Sequence, residues 1–165
     1  MRVFGVVGWK NNGKTTLVER LVTYLTAAGY RVSTVKHAHH EVDLDQPGKD
    51  TWRHREAGAE EVVLATARRW AVIHELRGTP EPSLDELLAK MTPVDLILVE
   101  GFKRFGHPKL EVHRRERGTP LLATEDPSII ALATDETLPA SALPQFPLDD
   151  IPAIAAFVLR HAGSR

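Results

Sequence analysis

The segment Gly8-Trp-Lys-Asn-Asn-Gly13-Lys14-Thr15-Thr16 limits what this chain can fold into more than any other, because it satisfies G-x-x-x-x-G-K-[ST] in full. Its surroundings agree. Arg2–Val7 is a short β-branched and aromatic run ended by Gly8, which reads as a buried strand. Beyond Lys14, the residues Leu17, Leu21, Leu25 and Ala28 recur at spacings of three and four, one apolar face of a helix that stops at Gly29. Strand, glycine-bounded loop and helix in that order predict a phosphate cradle. Gly8 and Gly13 let the backbone approach phosphates where a Cβ would clash. The N–H groups of the loop, through Lys10, Asn11 and Asn12, and of the helix start, through Thr16, supply partial positive charge. Lys14 brings a point charge to the β- and γ-phosphates, and the Thr15 hydroxyl suits Mg²⁺.

A second strand over Arg31–Lys36 completes a strand–loop–helix–strand unit, the opening of a parallel sheet. Further strands are expected at Glu61–Ala65, Trp70–Leu76, Val94–Val99, Leu110–His113 and Ile129–Thr134. Helices are expected from a cap at Asp50 to about Ala57, after Ser83 with Glu86 as its capping-box partner, and over Ile151–His161. The fold class is therefore α/β, P-loop NTPase-like, with a mostly parallel central sheet flanked by helices. At 165 residues it is expected to form one domain, residues 1–165.

Composition removes several function classes. Without cysteine there are no disulfides, thiolate metal sites, iron–sulfur clusters or cysteine nucleophiles. The balance of 21 Lys+Arg against 22 Asp+Glu argues against a general nucleic-acid binder, which needs a basic excess. No apolar run approaches the ~20 residues that span a bilayer, and MRVFGVVGWK lacks the pattern of a signal peptide. A cytoplasmic protein is expected. Charge is unevenly spread, however: Glu100–Arg117 holds six Lys/Arg and three acids, whereas Gly118–Pro152 holds six acids and no Lys or Arg. The basic stretch is either an ordinary solvated loop or the flank of a phosphate-bearing ligand.

A phosphate cradle of this type needs an acid at the end of a neighbouring strand to orient Mg²⁺. Asp95-Leu-Ile-Leu-Val-Glu100-Gly101 supplies one. Glu100 sits at the nucleotide end, Gly101 permits a backbone turn near the γ-phosphate, and Asp95 lies at the remote end, where it reads as a cap. The loop after the second strand, Lys36-His37-Ala38-His39-His40 with Asp43 and Asp45, admits three readings: a transition-metal site, a segment contacting phosphate, Mg²⁺ or a partner, or a solvated loop. Asp135 ends the strand Ile129–Thr134, where a carboxylate could accept from the two ring-edge hydrogens of guanine; it lacks the rest of the N/T-K-x-D pattern.

Three blocks in this order resemble the MobB family, the GTP-binding adapter proteins of molybdopterin-guanine dinucleotide biosynthesis. They are GWKNNGKTTL, then VKHAHHEVDLDQPGKDTWRHREAGA, then VEGFK followed by PKLEV, spanning about Val3 to Val112. The second block is far more specific than any phosphate loop. The resemblance implies a homodimer with weak GTP hydrolysis that assists the guanylyltransferase acting on molybdopterin. It implies GTP and Mg²⁺ as ligands, held by Gly8, Gly13, Lys14, Thr15 and Glu100, with Lys103 after the second acid. It adds loop residues His37, His40, Asp43, Asp45, Lys49 and Asp50. Two other functions use the same loop. A small-molecule kinase would close Lys103–Arg117 as a lid, and a metallochaperone GTPase would load Ni²⁺ or Zn²⁺ on His37, His39 and His40.

Overall fold

The computed structural model describes residues 1–38 and 43–164. Two compact units emerge. The first comprises Met1–His37 and Met91–Arg165, and the second Ala38–Lys90.

The first unit is a seven-stranded sheet. Its strands are β1 (Arg2–Val7), β2 (Val32–Lys36), β5 (Leu96–Glu100), β6 (Lys109–His113), β7 (Ile129–Thr134), β8 (Gln145–Pro147) and β9 (Gly163–Ser164). The order is β2-β5-β1-β6-β7-β8, every neighbouring pair parallel, while β9 pairs antiparallel with Arg2 and Val3 of β1. Helices α1 (Lys14–Ala27) and α4 (Ile151–His161) pack against it. Alternation along the strands explains the core. Phe4 and Val6, Leu96 and Leu98, Leu110 and Val112 face Leu17, Leu21 and Leu25 of α1 and Ile154 and Val158 of α4. The intervening Val3, Val7, Ile97 and Val99 are also fully buried, as parallel strands require. Each side chain of this size contributes about 1.5–3 kcal/mol on burial.

The second unit holds α2 (Asp50–Glu56), the antiparallel pair β3 (Glu61–Ala65) and β4 (Trp70–His74), and α3 (Leu84–Ala89). Ser83 caps α3 as the sequence predicts, accepting from the Glu86 N–H while Glu86 returns to the Ser83 N–H. Asp50 is not the cap of α2. It is the first helical residue, and Lys49 stands at the cap position without a side-chain bond. A carboxylate there still opposes the positive end of the helix dipole.

Three further differences have local causes. β5 runs two residues later than Val94, because Asp95 turns aside to accept the Arg31 N–H at 2.8 Å. β8 is three residues with a terminal proline, tolerable only because it lies at the sheet edge. β9 is a two-residue strand with no side-chain pattern to announce it.

Candidate functional site

The parallel register builds the site. Val6 of β1 pairs with Glu100 of β5, and Glu100 pairs on its other side with Lys36 of β2. The carboxy-terminal ends of three adjacent strands therefore deliver one acid, one cation and the start of the phosphate loop to the same rim. In an open α/β sheet this is where ligands bind.

The loop from Gly8 to Gly13 wraps at positive φ. Gly8 adopts +147°, and a Cβ there would come within 2.5 Å of the Val112 carbonyl oxygen. Gly13 adopts +97° and begins α1 with no side chain at the cap, leaving the first helical N–H groups for a ligand. Asn11 also has positive φ, at 65°. Lys10 and Asn11 are exposed, as is Thr16. Asn12 is different: it is fully buried, and its amide donates to the Val112 carbonyl at 3.2 Å while Oδ1 is left without a hydrogen-bond partner. It ties the loop to β6.

The Thr15 hydroxyl donates to Glu100 Oε1 at 2.9 Å. Lys36 Nζ stands 3.3 Å from the same oxygen and 3.5 Å from the Thr15 hydroxyl. A cation thus already bridges these two oxygens. Lys14 Nζ donates to the Trp9 carbonyl at 2.8 Å. Burial pulls its pKa below the ordinary lysine range; Glu100 opposes that shift, and Lys103 and Lys36 add to it. Lys14 thus shares its surroundings with two other ammonium groups and one carboxylate, an excess of positive charge that suits a polyanion.

Gly101 N–H donates to the Val6 carbonyl, and His37 N–H to the Glu100 carbonyl. The His37 ring lies 4.6 Å from that of Phe102. Lys103 sits over the Trp9 ring at 4.6 Å, and the Trp9 indole N–H donates to the Pro120 carbonyl. Asp135 follows β7 and accepts the Arg115 N–H at 3.1 Å. The other oxygen of this carboxylate is 3.9 Å from Arg114, whose guanidinium lies beside Gly13.

Asp43, Asp45, Lys49 and Asp50 belong to the second unit. There Arg55 gathers the acids: it pairs with Glu75 at 2.5 Å, Asp43 at 2.9 Å and Asp45 at 3.1 Å. Asp45 also accepts the Thr51 hydroxyl at 2.7 Å. The Asp45 N–H and Arg55 hold the Asp43 carboxyl below its usual range. His39 and His40 lie outside the described residues.

Lys36, Arg55 and Arg114 were not singled out as site residues by the sequence. Lys36 had a signal only in retrospect, since it ends the strand that register sets beside Glu100. Arg114 lay within the basic stretch already noted, and strand alternation from Val112 puts it on the side of the phosphate loop. Arg55 carried no signal beyond its place in the second block.

Comparison with known proteins bears on the family and the fold. The family described as Molybdopterin guanine dinucleotide synthesis protein B matches residues 3–135. The chain is 42% identical over 159 residues to a Molybdopterin-guanine dinucleotide biosynthesis adapter protein of Haemophilus influenzae, covering 94% of this chain and 86% of that one. A protein of the same name in Escherichia coli K12 is 37% identical, with 92% and 87% covered. Among solved structures, the crystal structure of a MobB protein homolog from Bacillus stearothermophilus superposes with a TM-score of 0.71 at 31% identity, over 96% of this chain and 98% of that one. The chain belongs to the Molybdopterin guanine dinucleotide synthesis protein B family.

Proposed function

We propose that the chain is a GTP-binding adapter in molybdopterin-guanine dinucleotide biosynthesis, with Mg²⁺ held between Thr15 and Glu100. The observation that carries this reading is the 2.9 Å contact between those side chains at the mouth of a phosphate loop. The residues fit the group. A hydroxyl and a carboxylate are hard oxygen donors of the kind Mg²⁺ accepts, with water and phosphate oxygens filling the remaining positions. When bound, the ion neutralises charge across the β- and γ-phosphates.

The protein's own groups do the rest. Lys14 exchanges the Trp9 carbonyl for phosphate oxygens, and Lys36 leaves Glu100 Oε1. The N–H groups from Lys10 to Thr16 cradle the phosphates, and the Gly101 segment borders the γ-phosphate. Asp135 reads the base, while His37, Asp45, Lys49 and Asp50 serve the nucleotide and its handover. Lys103 is the candidate for charge stabilisation during hydrolysis, but a lysine lacks an arginine's bidentate fork. Gly101-Phe-Lys-Arg follows Glu100, with no glutamine to position water. Hydrolysis by the isolated protein should be slow, about 10⁻³ s⁻¹ or below.

The partners proposed are the guanylyltransferase, molybdopterin and a second copy of the chain, in the cytoplasm. The β3–β4 pair supports a homodimer, because Val63, Leu64, Trp70 and Val72 are all exposed on it. Among the described residues no helix is long and apolar enough to cross a membrane. Residues 1–165 are proposed to work as one functional domain. Family membership favours the adapter over the kinase and metallochaperone readings.

Reconstitution tests this. Added to guanylyltransferase, molybdopterin, Mg²⁺ and limiting GTP, the protein should raise dinucleotide formation, and the Lys14→Ala variant should not. Equal yields with and without the protein would refute the adapter role.

A further inference from the structure

Arg114 stands where a cation works against the fold. It is the first residue after β6, and Nε and Nη2 of its guanidinium lie 3.5 and 3.6 Å from the point where a Cβ on Gly13 would sit. Gly13 is the cap residue of α1, so the charge rests beside the positive end of the helix dipole. The cap makes no side-chain hydrogen bond and the first turn holds no acid, so nothing in the helix itself offsets that charge. Lys14, the first helical residue, adds a second cation. Stability alone favours an acid or a neutral residue at such a place.

The backbone around Arg114 is fixed on both sides. The Val112 carbonyl accepts the Asn12 amide at 3.2 Å and crowds Gly8, which ties the end of β6 to the phosphate loop. The Arg115 N–H donates to Asp135 at 3.1 Å, and the Arg115 guanidinium pairs with Glu136 at 2.6 Å. The Arg114 guanidinium is 3.9 Å from the other Asp135 oxygen, beyond hydrogen-bond range, and the side chain is 38% exposed. Its planar fork of N–H donors is therefore not committed to that acid, and it suits the oxygens of a phosphate. Place in the sheet decides which phosphate. Strands β5 and β6 flank β1 on opposite sides. The Thr15–Glu100 pair lies on the β5 side, and Arg114 lies on the β6 side, next to Asp135.

We propose that Arg114 anchors the inner end of the nucleotide's phosphate chain, nearest the nucleoside, and so sets the direction in which that chain crosses the start of α1. The inference rests on the nucleotide reading, which puts Mg²⁺ and the outer phosphates at Thr15 and Glu100. An anion lying between the α1 N-terminus and Arg114 is attracted by both, which removes the conflict of like charges at the helix start. A guanidinium can also grip a phosphate through two parallel hydrogen bonds, fixing orientation as well as charge, which a lysine there would not do.

The test is calorimetry of the full chain with Mg²⁺·GTP and Mg²⁺·GDP, together with urea unfolding in the absence of nucleotide. Arg114→Ala should weaken GTP and GDP binding by the same factor, about tenfold. Its unfolding midpoint should hold or rise, because a cation leaves the wrong end of a helix. Arg114→Lys should recover only part of the affinity. In an Asp135→Asn background the loss on Arg114→Ala should be as large as in the unaltered chain, as for independent sites. Three results would each overturn the proposal. GDP binding spared while GTP binding falls would put Arg114 on the terminal phosphate. A loss that vanishes in the Asp135→Asn background would mean that Arg114 acts through Asp135. A lowered midpoint with unchanged affinity would make it a brace for β6. Weakened binding in Lys14→Ala but not in Arg114→Ala would sink this inference alone, whereas unchanged binding in both would sink the phosphate-loop reading with it.

Discussion

The Thr15 hydroxyl and Glu100 Oε1, 85 positions apart in sequence, meet at 2.9 Å. The first turn of α1 and the last residue of β5 thereby form one polar step, and Lys36 rests on it at 3.3 Å from the same carboxylate oxygen. Glu100→Gln keeps the size and the acceptor but removes the charge that both cations need. The variant should bind GTP with much less dependence on Mg²⁺, and its hydrolysis should fall. Calorimetry with and without the metal reads this directly, and unchanged metal dependence would place the magnesium ligand elsewhere.

Lys14→Ala should separate binding from folding. Burial depresses the Lys14 pKa, so its ammonium is held in the fold at some cost that a phosphate relieves. A charge-assisted contact of this kind is worth about 1.5–3 kcal/mol, or roughly ten- to hundredfold in affinity. Triphosphate binding should weaken by that factor while the thermal unfolding midpoint holds or rises. A large drop in the midpoint would make Lys14 a structural residue.

Much of this was legible from local pattern. The phosphate loop, α1, β1 and the capping box at Ser83 each declare themselves within a dozen residues, because glycine spacing, helical periodicity and cap chemistry are short-range. Glu100 was legible as the acid ending a buried apolar run. Lys36 beside Glu100 was not, since strand order β2-β5-β1 is a long-range property that no window of sequence encodes. The inward turn of the Asn12 side chain to β6 was not legible either, because the motif fixes the path of the loop and not the direction of that side chain. The Asp43 and Asp45 carboxylates stand out in the sequence, whereas Arg55, ten or more residues later, gives no sign there that it pairs with both.

Asp135 now has a described partner, the Arg115 N–H, and lies near Arg114 beside Gly13. Asp135→Asn keeps an acceptor for that N–H but presents a mismatched donor to guanine. The ratio of GTP to ATP affinity should fall about tenfold, the scale of one hydrogen bond to a charged group. ATP affinity itself should barely move. An unaltered ratio together with reduced thermal stability would make Asp135 a brace for the end of β6 alone.

Glu111 should leave a mark on the pH dependence of stability. Burial raises its pKa above 4.5, and the Leu122 and Ala123 N–H groups only partly pull it back. Just above pH 4.5 the folded protein therefore holds a proton that the unfolded chain has released. Its stability falls as pH rises through that interval. Glu111→Gln should flatten this fall in urea unfolding measured from pH 4 upward. An identical slope in the variant would show that the Glu111 carboxyl titrates alike in both states.

The magnesium–nucleotide site is tested most simply by titrating the unaltered protein with GTP and with ATP, each with and without Mg²⁺, followed by calorimetry. One nucleotide should bind per chain, GTP more tightly than ATP, with affinity that rises when Mg²⁺ is present. Binding of neither nucleotide, or GTP binding indifferent to the metal, would contradict a magnesium–nucleotide site built on Lys14, Thr15 and Glu100.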